Sequence, residues 1–490
     1  MKKLALSAVL LFSTLLLSQT PLKFERFFLD QTLRIDYYHV GDAAEEIITI
    51  DQIYRQGVWA GNPKQLIDPF NTGRYFIKLY DVASNALIYS RGFDSYFGEY
   101  KTTEPAENGV KRTYHETALL PCPAKPVFFV IEMRDKNNLL HPLFTRKIDP
   151  AAIEVIKENP DRQDNIYPVV RNGDAHKKVD IVMVAEGYSA EEEAKFQADL
   201  ERYAKVFFAW EPYKSKRKKF NISGIFRPSR ESGVDEPERG IFKNTALNSS
   251  FNSLGSDRYL LTEDNKTLRD IAAQVPYDAI FILVNSKRYG GGGIYNFFCI
   301  TTVDNEWSEF VFQHEFGHSF AGLADEYYGA EVAYNEFYPP GVEPAEANLT
   351  ALLDPPNLKW KELLSPGVTV PTDWGKAKFD SLYLADLKIR QQKTDTLAAL
   401  IRQAYPEETV KQVEARYDSL SRQLNERIKA FARNHPLKDK VGAFEGGGYV
   451  AKGIYRPMLN CLMLKFEKDD PGFCKVCEQA VNRMIEYYSE

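Results

Sequence analysis

Between residues 20 and 150, apolar and polar positions alternate loosely over short runs, at 33–40, 46–50, 75–80 and 126–132. Turn formers such as Asp81, Ser84 and Asn85 stand between the runs. Period-two alternation on this scale marks half-buried strands, and several such strands at close spacing predict an all-β sandwich domain over residues 19–150. Residues 151–176 are polar and broken by Pro160 and Pro168, and read as a linker. At Lys178 the rhythm changes. Residues 179–185 form an almost continuous apolar run, suited to a strand buried on both faces. Ser189 precedes Glu192 by three residues, which is a capping box for a following helix. Further strand-like runs lie at 220–226 and 277–284, and after the glycines at 290–293 another spans 294–303. Strands alternating with helices predict an α/β (α+β) domain over 177–490. Residues 380–434 are charged and helix-rich, are divided by Pro406, and read as an inserted helical hairpin without chemistry.

The amino terminus adds a processing signal. Lys2 and Lys3 precede an apolar stretch at 4–17, followed by small or polar residues around Ser18. That pattern predicts a signal peptide over 1–18, and so an exported protein: periplasmic, cell-surface or secreted. No other stretch is long and apolar enough to span a bilayer, so no stable span is expected after signal removal. The 490 residues exceed one compact core and fit two or three domains. A net charge of −6 gives no basic surface for nucleic acid, and the short basic run Lys214 to Lys219 reads as a solvated helix end. Five cysteines, Cys122, Cys299, Cys461, Cys474 and Cys477, leave at least one free thiol. Cys474 and Cys477 suit a disulfide, a redox pair or half of a zinc knuckle. With no thioredoxin-like context and no second cysteine pair, a structural role is favoured, with Cys461 as a partner.

The chemistry concentrates at His314-Glu315-Phe316-Gly317-His318. On a helix, residues four apart leave the same face, so both imidazoles can bind one zinc ion. Glu315 is then placed to act as general base on a water acidified by the metal. Two buried, satisfied histidines on an amphipathic helix are the plain alternative.

A third ligand is needed. Gly322 can end the helix and turn the chain back, and the third residue after it is Asp325. Asp325 is preferred over Glu326, and both over the distal Glu336, Glu343 and Glu346, because the proline-rich stretch after Tyr328 does not look like a second ligand helix. His176 and His435 are outside candidates. Downstream, Met463, with Met458 in reserve, is the candidate for a methionine turn beneath the metal.

Residues 314–327 closely resemble the signature of the M64 metallopeptidases, the IgA peptidase family. Residues 180–188, 232–237, 357–361, 442–449, 455–457 and 461–463 resemble other segments of the family, and residues 20–150 resemble the N-terminal domain often found with it. Region 380–434 is without a match. The resemblance implies an exported metzincin-like zinc peptidase with one zinc ion per chain. It also implies a polypeptide or glycoprotein substrate, and no residue encodes immunoglobulin A as that substrate. Tyr449 and Tyr455 are candidates to stabilise the oxyanion. Residues 294–303 are a candidate sheet edge for pairing with an extended substrate. Two other readings stay open: a non-catalytic zinc-containing surface binding protein, and a zinc amidase acting on cell-wall peptides. A long open groove favours polypeptide, and a short blind pocket favours a small amide.

Overall fold

The computed structural model describes residues 22–158, 163–328, 338–464 and 472–490; the segment read as a signal peptide lies outside them. Eight strands build the N-terminal part: β1 (Phe28–Gly41), β2 (Glu46–Gln56), β3 (Tyr75–Asp81), β4 (Leu87–Phe93), β5 (Arg112–Pro123), β6 (Val127–Arg134), β7 (Leu140–Ile148) and β8 (Val155–Lys157). They form two four-stranded sheets, ordered β5-β1-β2-β8 and β4-β3-β6-β7. Leu33, Ile35 and Tyr37 of β1 share one buried core with Ile77, Leu79 and Phe129 of the other sheet. Alternation along each strand supplies that core, since every second side chain faces the partner sheet.

The second part is built on a six-stranded sheet of β9 (Asn165–Val170), β10 (Val179–Glu186), β11 (Phe220–Phe226), β12 (Ala279–Val284), β13 (Gly291–Ile294) and β14 (Phe298–Thr302), in the order β13-β14-β12-β10-β11-β9. The four central strands are parallel, and β13 and β9 close the edges antiparallel. Both faces are covered. Ile181, Met183 and Ala185 pack with helices Glu193–Phe207, Ser308–Ala321 and Lys475–Tyr488. Val182 and Val184 face helix Asn265–Ala272 and the N-terminal residues Tyr96, Phe97 and Tyr100. This double burial explains the unbroken apolar run of β10. Glu186, fully buried at the end of β10, accepts hydrogen bonds from Ser249 N and Leu247 N, both at 2.9 Å, and from Thr245 Oγ1 at 2.7 Å. A buried carboxylate thus organises the loop that leads on to Arg258.

Three expectations need correction. The segment read as a linker contributes β8, which pairs with β2, and β9, which pairs with β11. The run at 294–303 is two strands, because Asn296 adopts a left-handed φ of 52° between them. The first helix of this part ends at Phe207, and Lys214 to Lys219 follow as turns and a short 3-10 segment.

The two parts are joined by polar contacts as well as apolar ones. Buried Arg34 donates to Asp36 at 2.7 Å and to Asp270 at 2.6 Å. Asn296 accepts from Arg91 Nη2 at 2.8 Å and donates to Gly92 O at 2.6 Å. Helices Lys376–Arg402 and Glu407–Arg433 pair as a hairpin on either side of Pro406.

Candidate metal centre

Helix Ser308–Ala321 carries the His-Glu-x-x-His run. Phe312, Phe316 and Phe320 form one stripe against the sheet, and the Phe312 ring stacks on Phe281 at 4.0 Å. At about 100° per residue, His314 and His318 leave the face roughly opposite that stripe. The helix is therefore held by its phenylalanines while its histidines point into a cleft. It ends at Gly322, with φ 59°. Gly322 N donates to His318 O at 2.9 Å and Leu323 N to Gly317 O at 3.3 Å, so a left-handed residue reverses the chain there. A Cβ at Gly322 would also come within 2.7 Å of Thr72. The reversal brings Asp325 back onto the histidines.

The resulting cluster is tight. His314 Nε2 and His318 Nε2 are 3.1 Å apart, and Asp325 Oδ1 is 3.1 Å from the first and 3.4 Å from the second. The far ring nitrogens are engaged: His314 Nδ1 with Leu462 O at 3.1 Å, and His318 Nδ1 with Leu323 O at 2.5 Å. A carbonyl only accepts, so each Nδ1 carries a proton and each neutral ring turns an Nε2 lone pair inward. Three acceptors then face one another, and Asp325 Oδ1 has no hydrogen-bond donor among the described residues. Such a group needs a cation or a proton at its centre. With protons alone, burial opposes the imidazolium of His318, but the Asp325 carboxylate outweighs it and pushes the pKa up to about 9. Burial opposes ionisation of Asp325 too, yet the histidines hold its carboxyl well below the usual range. The donor set of two imidazoles and one carboxylate fits a divalent metal of the zinc type.

Glu315 adjoins the cluster and lines the same cleft, of about 130 Å³. Burial raises its pKa, and the two histidines partly offset that rise. The edge strand β13 lies against it. A Cβ on Gly293 would sit 2.4 Å from Glu315 O, which is why glycine is needed where strand and helix touch.

The other sequence candidates divide. Met463 is fully buried beneath the helix, its Sδ 2.9 Å from where a Cβ on Gly317 would stand, and its carbonyl accepts from Glu326 N at 2.8 Å. Met458 lies in the main core away from that contact. Tyr449 donates its hydroxyl to Asp325 Oδ2, so the phenol offered as an oxyanion group steadies the carboxylate instead. Its φ of 67° is an uncommon left-handed conformation for tyrosine, maintained by Tyr449 N donating to Tyr327 O at 2.9 Å. Tyr455 is not brought to the cleft; it pairs through its backbone with Thr350. Glu326 turns away from the histidines into a group of cysteines. Glu343 pairs with Lys359 at 3.1 Å, and Glu346 reaches the cleft wall while accepting from Tyr338. His176 contacts Gly61 and Asp30, and His435 accepts from Leu437 N near a helix end. Glu336 lies outside the described residues.

Several cleft residues went unseen in the sequence: Arg258, Tyr289 and Tyr327, and from the N-terminal part Asp94 and Glu99. Glu99 sits on the short helix Tyr96–Tyr100 and the others in loops, and apart from Tyr327 none falls in a segment that the sequence marks. Ser256, Arg258, Tyr289 and Tyr327 also line a groove of about 1920 Å³ that runs beside the helical hairpin, so the small cleft opens into a long one.

Comparison with curated proteins gave no match. The model of the family Peptidase M64 N-terminus matches residues 23–145, and that of IgA Peptidase M64 matches residues 167–485. Matched over well more than half its length, the chain belongs to the M64 peptidase family and is a metallopeptidase.

Proposed function

We propose that the protein is an exported, zinc-dependent endopeptidase in which His314, His318 and Asp325 hold the metal and Glu315 is the general base. One observation carries this reading: three acceptor atoms converge within 3.1–3.4 Å beside the half-buried carboxylate of Glu315, which lines a cleft. Zinc held by these residues would supply Lewis acidity toward the scissile carbonyl and a nearby water. Glu315 would accept a proton from a water in the cleft and return it to the leaving amine. Leu462 O and Leu323 O fix the tautomers of the ligands, and Tyr449 fixes the carboxylate. Arg258 and Tyr289, beside Glu315 in the cleft, are better placed than Tyr455 to meet the developing oxyanion.

The groove supports a polypeptide substrate over a small amide, because the cleft continues past Arg258 and Tyr327 along the helical hairpin. The edge nearest an extended peptide is β13 at Gly293, since β14 lies between β12 and β13 and Gly291 already pairs with the Tyr259–Leu260 segment. Gly293 of β13 lines the cleft with Glu315, so a substrate backbone paired there would pass over the base. Lys2, Lys3 and the apolar stretch at 4–17 support export.

The test is hydrolysis of a denatured protein mixture beside isolated cell-wall peptides. Cleavage of the proteins, abolished by 1,10-phenanthroline and restored by zinc(II), is expected. Release from cell-wall peptides alone would replace this reading with the amidase.

A further inference from the structure

Behind the cleft lies a second group of ligating atoms. Glu326, Cys461, Cys474 and Cys477 are all buried, and one ligand atom from each lies within 4.8 Å of the others. None of the four lines the cleft. We propose that these four residues form a closed structural zinc site, separate from the catalytic metal.

The geometry has three independent parts. First, Cys461 Sγ and Cys477 Sγ are 3.7 Å apart. Ligands at about 2.3 Å around a tetrahedral zinc place sulfurs about 3.8 Å apart, whereas a disulfide joins them at about 2.05 Å. Second, Glu326 Oε1 approaches Cys477 Sγ at 3.1 Å and Cys474 Sγ at 3.9 Å, and accepts from Asn348 Nδ2 at 3.1 Å. Its Oε2 is buried without a hydrogen-bond donor among the described residues. A buried carboxylate oxygen with nothing to bind is costly, and a cation beside it removes the cost. Third, the backbone is set for thiolates. Cys474 caps helix Lys475–Tyr488; Cys477 N points at Cys474 Sγ at 3.5 Å, and Cys474 N at Cys461 Sγ at 3.2 Å. Amides aimed at sulfur, at a helix N-terminus, stabilise negative charge there.

Charge balance is consistent. On binding zinc, the three thiols release their protons to solvent, and three thiolates, one carboxylate and a dication sum to about −2. Buried Arg456 interacts with both Glu326 and Cys461 and offsets part of it. The second cysteine pair that a zinc knuckle normally needs is replaced by one cysteine from the methionine turn and one glutamate from the ligand loop.

The position explains what such a site does. Glu326 follows Asp325, and Cys461 stands two residues before Met463 and next to Leu462, whose carbonyl orients His314. One ion would tie the third-ligand loop, the turn beneath the active-site helix and the last helix together. Four protein ligands leave no position for water, which is the mark of a structural site.

The deciding experiment uses the full chain with His314→Ala and His318→Ala, which removes the cleft ligands and leaves the second group intact. After equilibration with zinc(II) and dialysis, the variant should keep about one zinc per chain, against about two in wild type, with a sulfur shell near about 2.3 Å by X-ray absorption. A variant that keeps no zinc, or zinc with only nitrogen and oxygen neighbours, overturns the proposal. So does an intact mass two hydrogens light with two of Cys461, Cys474 and Cys477 unreactive to alkylation in denaturant, which would show a disulfide. Cys474→Ser/Cys477→Ser should hold about one zinc fewer than wild type if it folds, and equal zinc would count against the site. If it does not fold, the histidine variant alone decides.

Discussion

Asp325 and Glu326 are neighbours in sequence with opposite fates. Asp325 turns into a cleft with His314 and His318, while Glu326 turns into the core with three cysteines. The first group offers three ligand atoms, nitrogen and oxygen only, with half-buried Glu315 at its open side. The second has four, three of them sulfur, and no opening to the cleft. With zinc in both, the difference would separate a metal site that leaves room for water from one that does not. It also shows how the two are coupled, since a single peptide unit joins the third ligand of one to a ligand of the other.

Substitutions can break the comparison at either side. The largest effect after loss of the base is expected from Asp325→Asn. It should lower zinc occupancy of the cleft and reduce cleavage by at least about 100-fold, while zinc at the cysteine group stays, because ligation needs the carboxylate. Zinc content of the variant, with and without the two cleft histidines, checks this. Tyr449→Phe removes the donor to Asp325 Oδ2 and should weaken cleft zinc by about 10–100-fold without altering the fold. A competition titration with a zinc indicator measures it.

Acidity offers a third route. Zinc must displace the proton that Asp325 holds on His318 up to about pH 9, so apparent cleft affinity should fall by up to about tenfold per pH unit below that value. In metal-free protein the sign reverses for stability. The raised His318 pKa contributes stability fully below about 6.5, and it is lost as pH rises through about 9. Melting temperature of the chelated protein should therefore drop over that window, and His318→Ala should abolish the drop. The smallest effect is expected at Gly317→Ala, whose Cβ would press on Met463 Sδ at 2.9 Å and on the Phe473 ring at 3.1 Å, costing about 1–3 kcal/mol by denaturant melts.

What the sequence revealed follows from range. His314, Glu315 and His318 are legible because helical periodicity acts over four residues, and Asp325 because Gly322 marks the reversal. β10, β11 and β12 are legible because double burial writes an apolar run. β9 was hidden by Pro168, which an edge strand tolerates where a central strand would not. The turn at Asn296 was hidden inside an apolar run, although asparagine is among the few residues that enter the left-handed region readily. Glu326 and the cysteines meet across more than 130 residues, and Arg258 reaches the cleft from an irregular loop. No local pattern encodes either contact.

The most direct measurement is metal content and proteolysis on one sample each of wild type and Glu315→Gln. The account predicts equal zinc in both, with cleavage of denatured protein lower by at least about 100-fold in the variant, because only the proton acceptor is lost. Equal zinc with equal cleavage would contradict Glu315 as the base, and zinc without cleavage in either protein against a broad panel of polypeptides would contradict the proposed endopeptidase site.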